Sequence, residues 1–107
     1  MAAARRIGGG IAKELISVDF EVFGRVQGVF FRKYTKKKAT ELNLVGWVKN
    51  TDMNTVVGQV QGEKSNISTM KQWLKHTGSK RSHIDRCEFK NENKITSLTF
   101  ASFDIVK

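Results

Sequence analysis

The chain has 107 residues, 39% of them apolar, which is enough for one folded domain with a modest core. No apolar stretch approaches the roughly 18 residues of a membrane span, and Met1 to Lys13 lack the apolar block of a secretory signal, so a soluble cytoplasmic protein with no membrane partner is expected. The formal net charge of +9 makes anions the partners to consider, and the lone cysteine, Cys87, excludes an internal disulfide.

Residues 1–13 read as a leader outside the domain, which is expected to occupy residues 14–107. Ala2 to Arg6 and Gly8 to Gly10 are small and glycine-rich, with two arginines and no acid, a composition suiting either a flexible tail or a weak organelle-targeting signal. Ile16, Val18, Phe20 and Val22 then alternate with Ser17, Asp19 and Glu21, the period of a strand with one face in a core. From Phe31 to Leu42 the positions Phe31, Tyr34, Thr35, Ala39 and Leu42 recur at helical steps with lysines on the other side, predicting a helix. Lys33, Lys36, Lys37 and Lys38 are either its solvated face or a strip for a polyanion.

Val45 to Thr51 and Thr55 to Gln61 favour strands, and Asp52-Met53-Asn54 between them has turn chemistry, so the pair reads as a hairpin. Ile67, Met70, Leu74 and Thr77 share one helical face, with Ser65 or Asn66 as the expected cap and Gly78 where the helix stops. Cys87 and Phe89 mark a strand, Asn91 to Asn93 a turn, and Phe103 and Ile105 a last strand. The order β-α-β-β-α-β-β predicts an α+β fold: two helices on one face of a mostly antiparallel five-stranded sheet.

Between the first strand and the first helix lies Gly24-Arg25-Val26-Gln27-Gly28-Val29-Phe30-Phe31-Arg32, a segment suited to gripping phosphate. Glycines at both ends allow a tight turn that aims N–H groups inward, the helix adds the positive end of its dipole, and Arg32 offers a two-pronged cation. Elsewhere the chemistry is thin. His76 and His83 are seven apart with no second ligand pair, so no metal site is expected. No carboxylate pairs with a histidine or serine as a triad would require, and Trp47 and Trp73 are expected to cover core or sheet. Asn50, near the end of the second strand, is the polar residue left to meet the loop and Arg32.

Three words of this sequence, Gly24 to Arg32 as above, Gly46-Trp47-Val48-Lys49-Asn50-Thr51, and Val57-Gly58-Gln59-Val60-Gln61-Gly62, resemble the acylphosphatase family of the common or muscle type in order and spacing. The resemblance runs from about Glu14 to Lys107. It implies a ferredoxin-like two-layer sandwich, usually monomeric and cytosolic, that hydrolyses acyl phosphates such as 1,3-bisphosphoglycerate and carbamoyl phosphate to a carboxylate and inorganic phosphate, without metal or cofactor. It implies Arg32 as the phosphate-binding arginine, Asn50 as the water-positioning asparagine, and the backbone of Arg25, Val26, Gln27, Gly28, Val29, Phe30 and Phe31 as the substrate cradle.

Few side chains suffice for such a reaction, because the leaving carboxylate is already stable at neutral pH and no strong general acid is needed. Two departures from the family pattern stand out. Gly78-Ser79 is followed by Lys80 in place of proline, implying a looser and more basic loop, and Phe30 occupies a place where some members carry cysteine. Two other functions compete on the same sandwich. An RNA-binding module would need aromatics on the third strand, and Thr55 to Gln61 has none, so no nucleic-acid partner is expected. A catalytically dead anion sensor would have no need of both Arg32 and Asn50.

Overall fold

The computed structural model describes residues 14–107, so the expected leader, residues 1–13, lies outside the described residues. The elements in order are β1 (Leu15–Arg25), α1 (Phe31–Glu41), β2 (Val45–Asn50), β3 (Val56–Glu63), α2 (Lys64–His76), β4 (His83–Ile95) and β5 (Phe103–Ile105). The strands form one sheet in the order β4-β1-β3-β2-β5. Every pairing is antiparallel except β2 with β5, which is parallel, so the sheet is mixed while remaining mostly antiparallel.

Alternation along the strands decides which face is covered. Ile16, Val18, Phe20 and Val22 are buried and stand opposite Gly62, Val60, Gly58 and Val56 of β3. On this face α1 packs over β2 and β5, and α2 over β1, β3 and β4. Ile67, Met70 and Leu74 of α2 are buried beneath it, while Phe31 and Ala39 anchor α1. Fully burying a side chain of the Val, Leu or Phe type is worth about 1.5–3 kcal/mol, so this layer supplies most of the favourable free energy of folding. The opposite face carries Asp19, Glu21, Trp47 and Gln59, all half-buried. Gln61 lies buried on that face, donating to Thr99 Oγ1 (3.0 Å) and accepting from the Thr99 N–H (2.8 Å), which fastens the segment after β4 across the sheet.

Two local expectations are corrected. The stretch Asn91 to Asn93 is not a turn: β4 runs through it, with one extra residue between the pairs Ser17–Asn93 and Asp19–Lys90. This is a β-bulge, and Asn91 takes the left-handed φ of 54° that such a bulge needs. A second bulge separates the pairs Phe23–Arg86 and Gly24–Ile84. Helix α2 is not capped by Ser65 or Asn66; it starts at Lys64, behind Glu63, with no side-chain cap. Its first N–H, on Lys64, donates instead to the Glu14 carbonyl (2.9 Å), a partner supplied by the chain entering β1. The Glu14 carboxyl is held below the usual carboxylate range by a hydrogen bond and ion pair with Lys94 (3.1 Å), aided by Lys64. Trp47 lies on the open face beneath the Lys49 ammonium (5.8 Å), and Trp73 packs on Phe31 (5.7 Å between ring centroids), both covering sheet or core as expected.

Cys87 sits opposite Val22 on the helix-bearing face, half-buried. Burial pushes its thiol up to about 12, with Lys75 opposing and Glu88 reinforcing the rise. The thiol therefore stays protonated at neutral pH. Alkylation by iodoacetamide at pH 8 is expected to be at least ten times slower in the native protein than in urea, measured by intact mass. Stability is expected to fall as pH rises from about 9 towards about 12, because only the unfolded chain releases the proton in that window.

Candidate active site

The loop expected to cradle phosphate lies where β1 hands over to α1. Gly24, with φ of 130°, lies so close to β4 that a Cβ there would stand 2.0 Å from the His83 carbonyl oxygen. Beyond it Arg25 is exposed opposite His83, and Val26 is buried in the core, which pins the first residue of the turn. The chain then passes through two left-handed residues, Gly28 at φ 72° and Phe30 at φ 60°. Phe30 is exposed, so its unusual φ owes nothing to side-chain packing, and it costs free energy that the flanking anchors offset. Phe31, almost completely buried, fixes the start of α1 on the other side.

Helix α1 begins without any side-chain cap, and no acidic residue lies in its first turn. Its first intrahelical bond runs from the Tyr34 N–H to the Phe30 carbonyl (3.1 Å), leaving the N–H groups of Phe31, Arg32 and Lys33 without an intrahelical acceptor. Donors, helix dipole and a local excess of cations together suit this helix start to an anion. Arg32 is half-buried, and its guanidinium has no hydrogen bond or ion pair with any described residue. A cavity of about 350 Å³ is lined by Val26, Gly28, Phe30, Phe31, Arg32 and Lys33, with Ile105 and Lys107 closing it from the end of the chain.

Asn50 does not line that cavity, nor do Arg25, Gln27 and Val29. It lies at the same end of the sheet, because β1 and β2 both run antiparallel to β3 and so end together. Val56 pairs with Val22 on one side and with Asn50 on the other, putting Asn50 on the helix-bearing face beside the core. Its Oδ1 is buried with no hydrogen-bond partner. An unpaired buried acceptor costs about 1–3 kcal/mol.

Sequence reasoning missed the side chains that fasten the loop. Gln27 Nε2 donates to the carbonyls of both Thr51 (2.9 Å) and Thr55 (2.8 Å), across the mouth of the β2–β3 turn. From the other side the Ser79 hydroxyl donates to the Val29 carbonyl (2.8 Å). Ser79 is buried and its carbonyl accepts from the Ser82 hydroxyl (2.6 Å) and N–H (3.1 Å), so hydrogen bonds hold the loop at the residue before Lys80. The turn itself is organised by Thr51, whose hydroxyl accepts from the N–H groups of Met53 and Thr55, while the Thr55 hydroxyl donates to Glu21 (2.7 Å). A threonine at each end of Asp52-Met53-Asn54 is the one sequence signal of that turn order. Among the described residues no group of three His, Cys, Asp or Glu side chains is placed to hold a metal ion.

The acylphosphatase family model matches residues 18–105. The chain belongs to the acylphosphatase family. Acylphosphatase-1 of Mus musculus is 57% identical over 93 residues, covering 87% of this chain and 94% of that protein. Acylphosphatase-2 of Bos taurus is 54% identical over 93 residues, with the same coverage. Among solved structures, an acylphosphatase from Coxiella burnetii superposes with a TM-score of 0.78 at 31% identity, over 90% of this chain and 99% of that one. The chain is thus a hydrolase that cleaves acyl phosphates, on the ferredoxin-like sandwich of this family.

The two glycines that bracket the loop of this acylphosphatase are expected to differ in what they tolerate. Nothing lies within 4 Å of a Cβ built on Gly28, so Gly28→Ala meets only the left-handed backbone penalty, about 1–2 kcal/mol. Gly24→Ala forces β1 and β4 apart and is expected to cost more than about 3 kcal/mol. Urea unfolding of the two variants measures both.

Proposed function

We propose that Arg32 and the backbone of residues 25–31 hold the phosphoryl group of an acyl phosphate while Asn50 presents the attacking water, with no metal or cofactor. The observation that carries this reading is Arg32 itself: a half-buried guanidinium without a described protein partner, in the uncapped first turn of α1, lining the cavity at the loop. A phosphate oxyanion is the partner that such a fork and a set of inward N–H groups satisfy together.

The physical chemistry of the bond explains why so little is required. Cleavage between phosphorus and the acyl oxygen releases a carboxylate that needs no protonation. Catalysis is then positioning plus stabilisation of charge on the equatorial phosphoryl oxygens, which the guanidinium and the helix start provide most strongly in the transition state. The Asn50 carboxamide orients the water by a hydrogen bond, aiming the water's lone pair at phosphorus. Being no base, it leaves the water's proton to a phosphoryl oxygen. The products are a carboxylate and inorganic phosphate.

The substrates we propose are small acyl phosphates of the 1,3-bisphosphoglycerate and carbamoyl phosphate kind. We assign the activity to residues 14–107 acting as a monomer in the cytosol, where the single cysteine is at home. Acids on the open face of the sheet, Asp19, Glu21 and Glu88, weigh against nucleic acid there.

Hydrolysis of benzoyl phosphate in the presence of a chelator tests the assignment. The wild-type rate is expected to be unchanged by chelator, and Arg32→Gln and Asn50→Ala are each expected to lower turnover by about a hundred- to a thousandfold. Arg32→Gln should also weaken competitive inhibition by inorganic phosphate, which Asn50→Ala should leave nearly intact. Either variant retaining wild-type turnover would overturn its assigned role.

A further inference from the structure

The geometry points to Gln27 as a positioning residue for hydrolysis, and we propose that its side chain, not only its backbone, sets the distance between the phosphate loop and Asn50. The inference rests on the roles proposed above for the loop and Asn50. The loop belongs to the β1–α1 connection and Asn50 to the end of β2, two segments separated in sequence by the whole of α1. Among the described residues, the hydrogen bonds that join the loop to the β2–β3 turn are the two made by Gln27 Nε2, spanning 24 and 28 positions to the carbonyls of Thr51 and Thr55.

Both amide hydrogens are used, one on each carbonyl, so the side chain is held in one orientation. Thr51 follows Asn50 directly, and the Thr55 carbonyl also accepts from the Thr51 N–H (2.9 Å), so the two acceptors belong to one closed turn. That turn is rigid on its far side too. With the Thr55 hydroxyl proton given to Glu21, the Thr51 hydroxyl donates to Thr55 Oγ1 (2.6 Å), forming a chain that ends on a carboxylate. Gln27 therefore links two stiff bodies: the cradle with Arg32, whose shape comes from Val26, Gly28, Phe30 and Ser79, and the turn that carries Asn50.

Loosening such a link leaves each body intact and spoils their alignment. Phosphate affinity, a property of the cradle alone, should survive; in-line placement of the water should not. Misplacement by about 1 Å at a reacting centre costs on the order of a hundredfold in rate.

The test is a double-mutant cycle with benzoyl phosphate. Gln27→Met, equal in length but without donors, is expected to lower kcat by about ten- to a hundredfold while changing inhibition by inorganic phosphate by less than about threefold. In an Asn50→Ala background the same change is expected to cost less than about threefold more. An undiminished loss in that background, or phosphate affinity falling in step with kcat, would overturn the proposal. Should Asn50→Ala alone prove as active as wild type, the role of Asn50 fails and the positioning role falls with it, whereas a slow Asn50→Ala with additive losses sinks only the role of Gln27.

A second variant guards against misfolding. Gln27→Glu keeps the shape but faces two carbonyl oxygens with a carboxylate, whose protonation restores one donor. Its activity relative to wild type is expected to rise severalfold between pH 7 and pH 5, and a flat ratio would overturn the donor role.

Discussion

Residues 26–30 must keep a main-chain shape that they would not hold alone, and the rest of this end of the molecule is arranged to keep it. Two left-handed residues, one of them a phenylalanine with an exposed ring, turn the chain between the end of β1 and the start of α1. Such a conformation survives only when its surroundings over-determine it. Here Val26 and Phe31 are driven into the core at the two ends, and the carbonyl of Val29 is tied to Ser79 in between. The hydrophobic layer thus does more than stabilise the fold: it holds the ends of a strained loop at fixed positions.

Topology does the complementary work. With β3 between β1 and β2, their C-terminal ends reach the same edge, and a single row through Val22, Val56 and Asn50 carries position from one to the other. The parallel strand β5 adds to β2 and brings Ile105 and Lys107 against the loop. The proposed site, drawn from a loop and two strand ends, needs no long excursion of chain, so a described domain of this size has room for it.

Much of this was legible in the sequence because the signals were local. Alternation in Ile16 to Val22, helical spacing from Phe31 and from Ile67, and the glycines at 24 and 28 each report the backbone around them. The failures share a different character. Asparagine tolerates left-handed φ in a bulge as readily as in a turn, so Asn91 could not reveal that β4 continues through it. Ser65 and Asn66 are good caps, yet the helix begins ahead of both at Lys64, whose N–H donates to the carbonyl of Glu14 at the entry to β1. The Gln27 amide, likewise, is a loop residue in the sequence and a tether only once β2 and β3 are brought alongside. Pairing across tens of residues leaves no imprint on composition or period.

The two irregularities in β4 have a meaning beyond register. This long strand forms one border of the sheet, where unpaired main-chain groups invite a strand from another molecule. An extra residue near each end bends the border out of the straight line that such an intruder would have to follow, and the side chains there add bulk and charge, with Arg86 laid over Phe23 and Lys94 joined to Glu14. A catalyst whose sheet has an open margin is thereby made a poorer template for a larger, inert stack of its own copies.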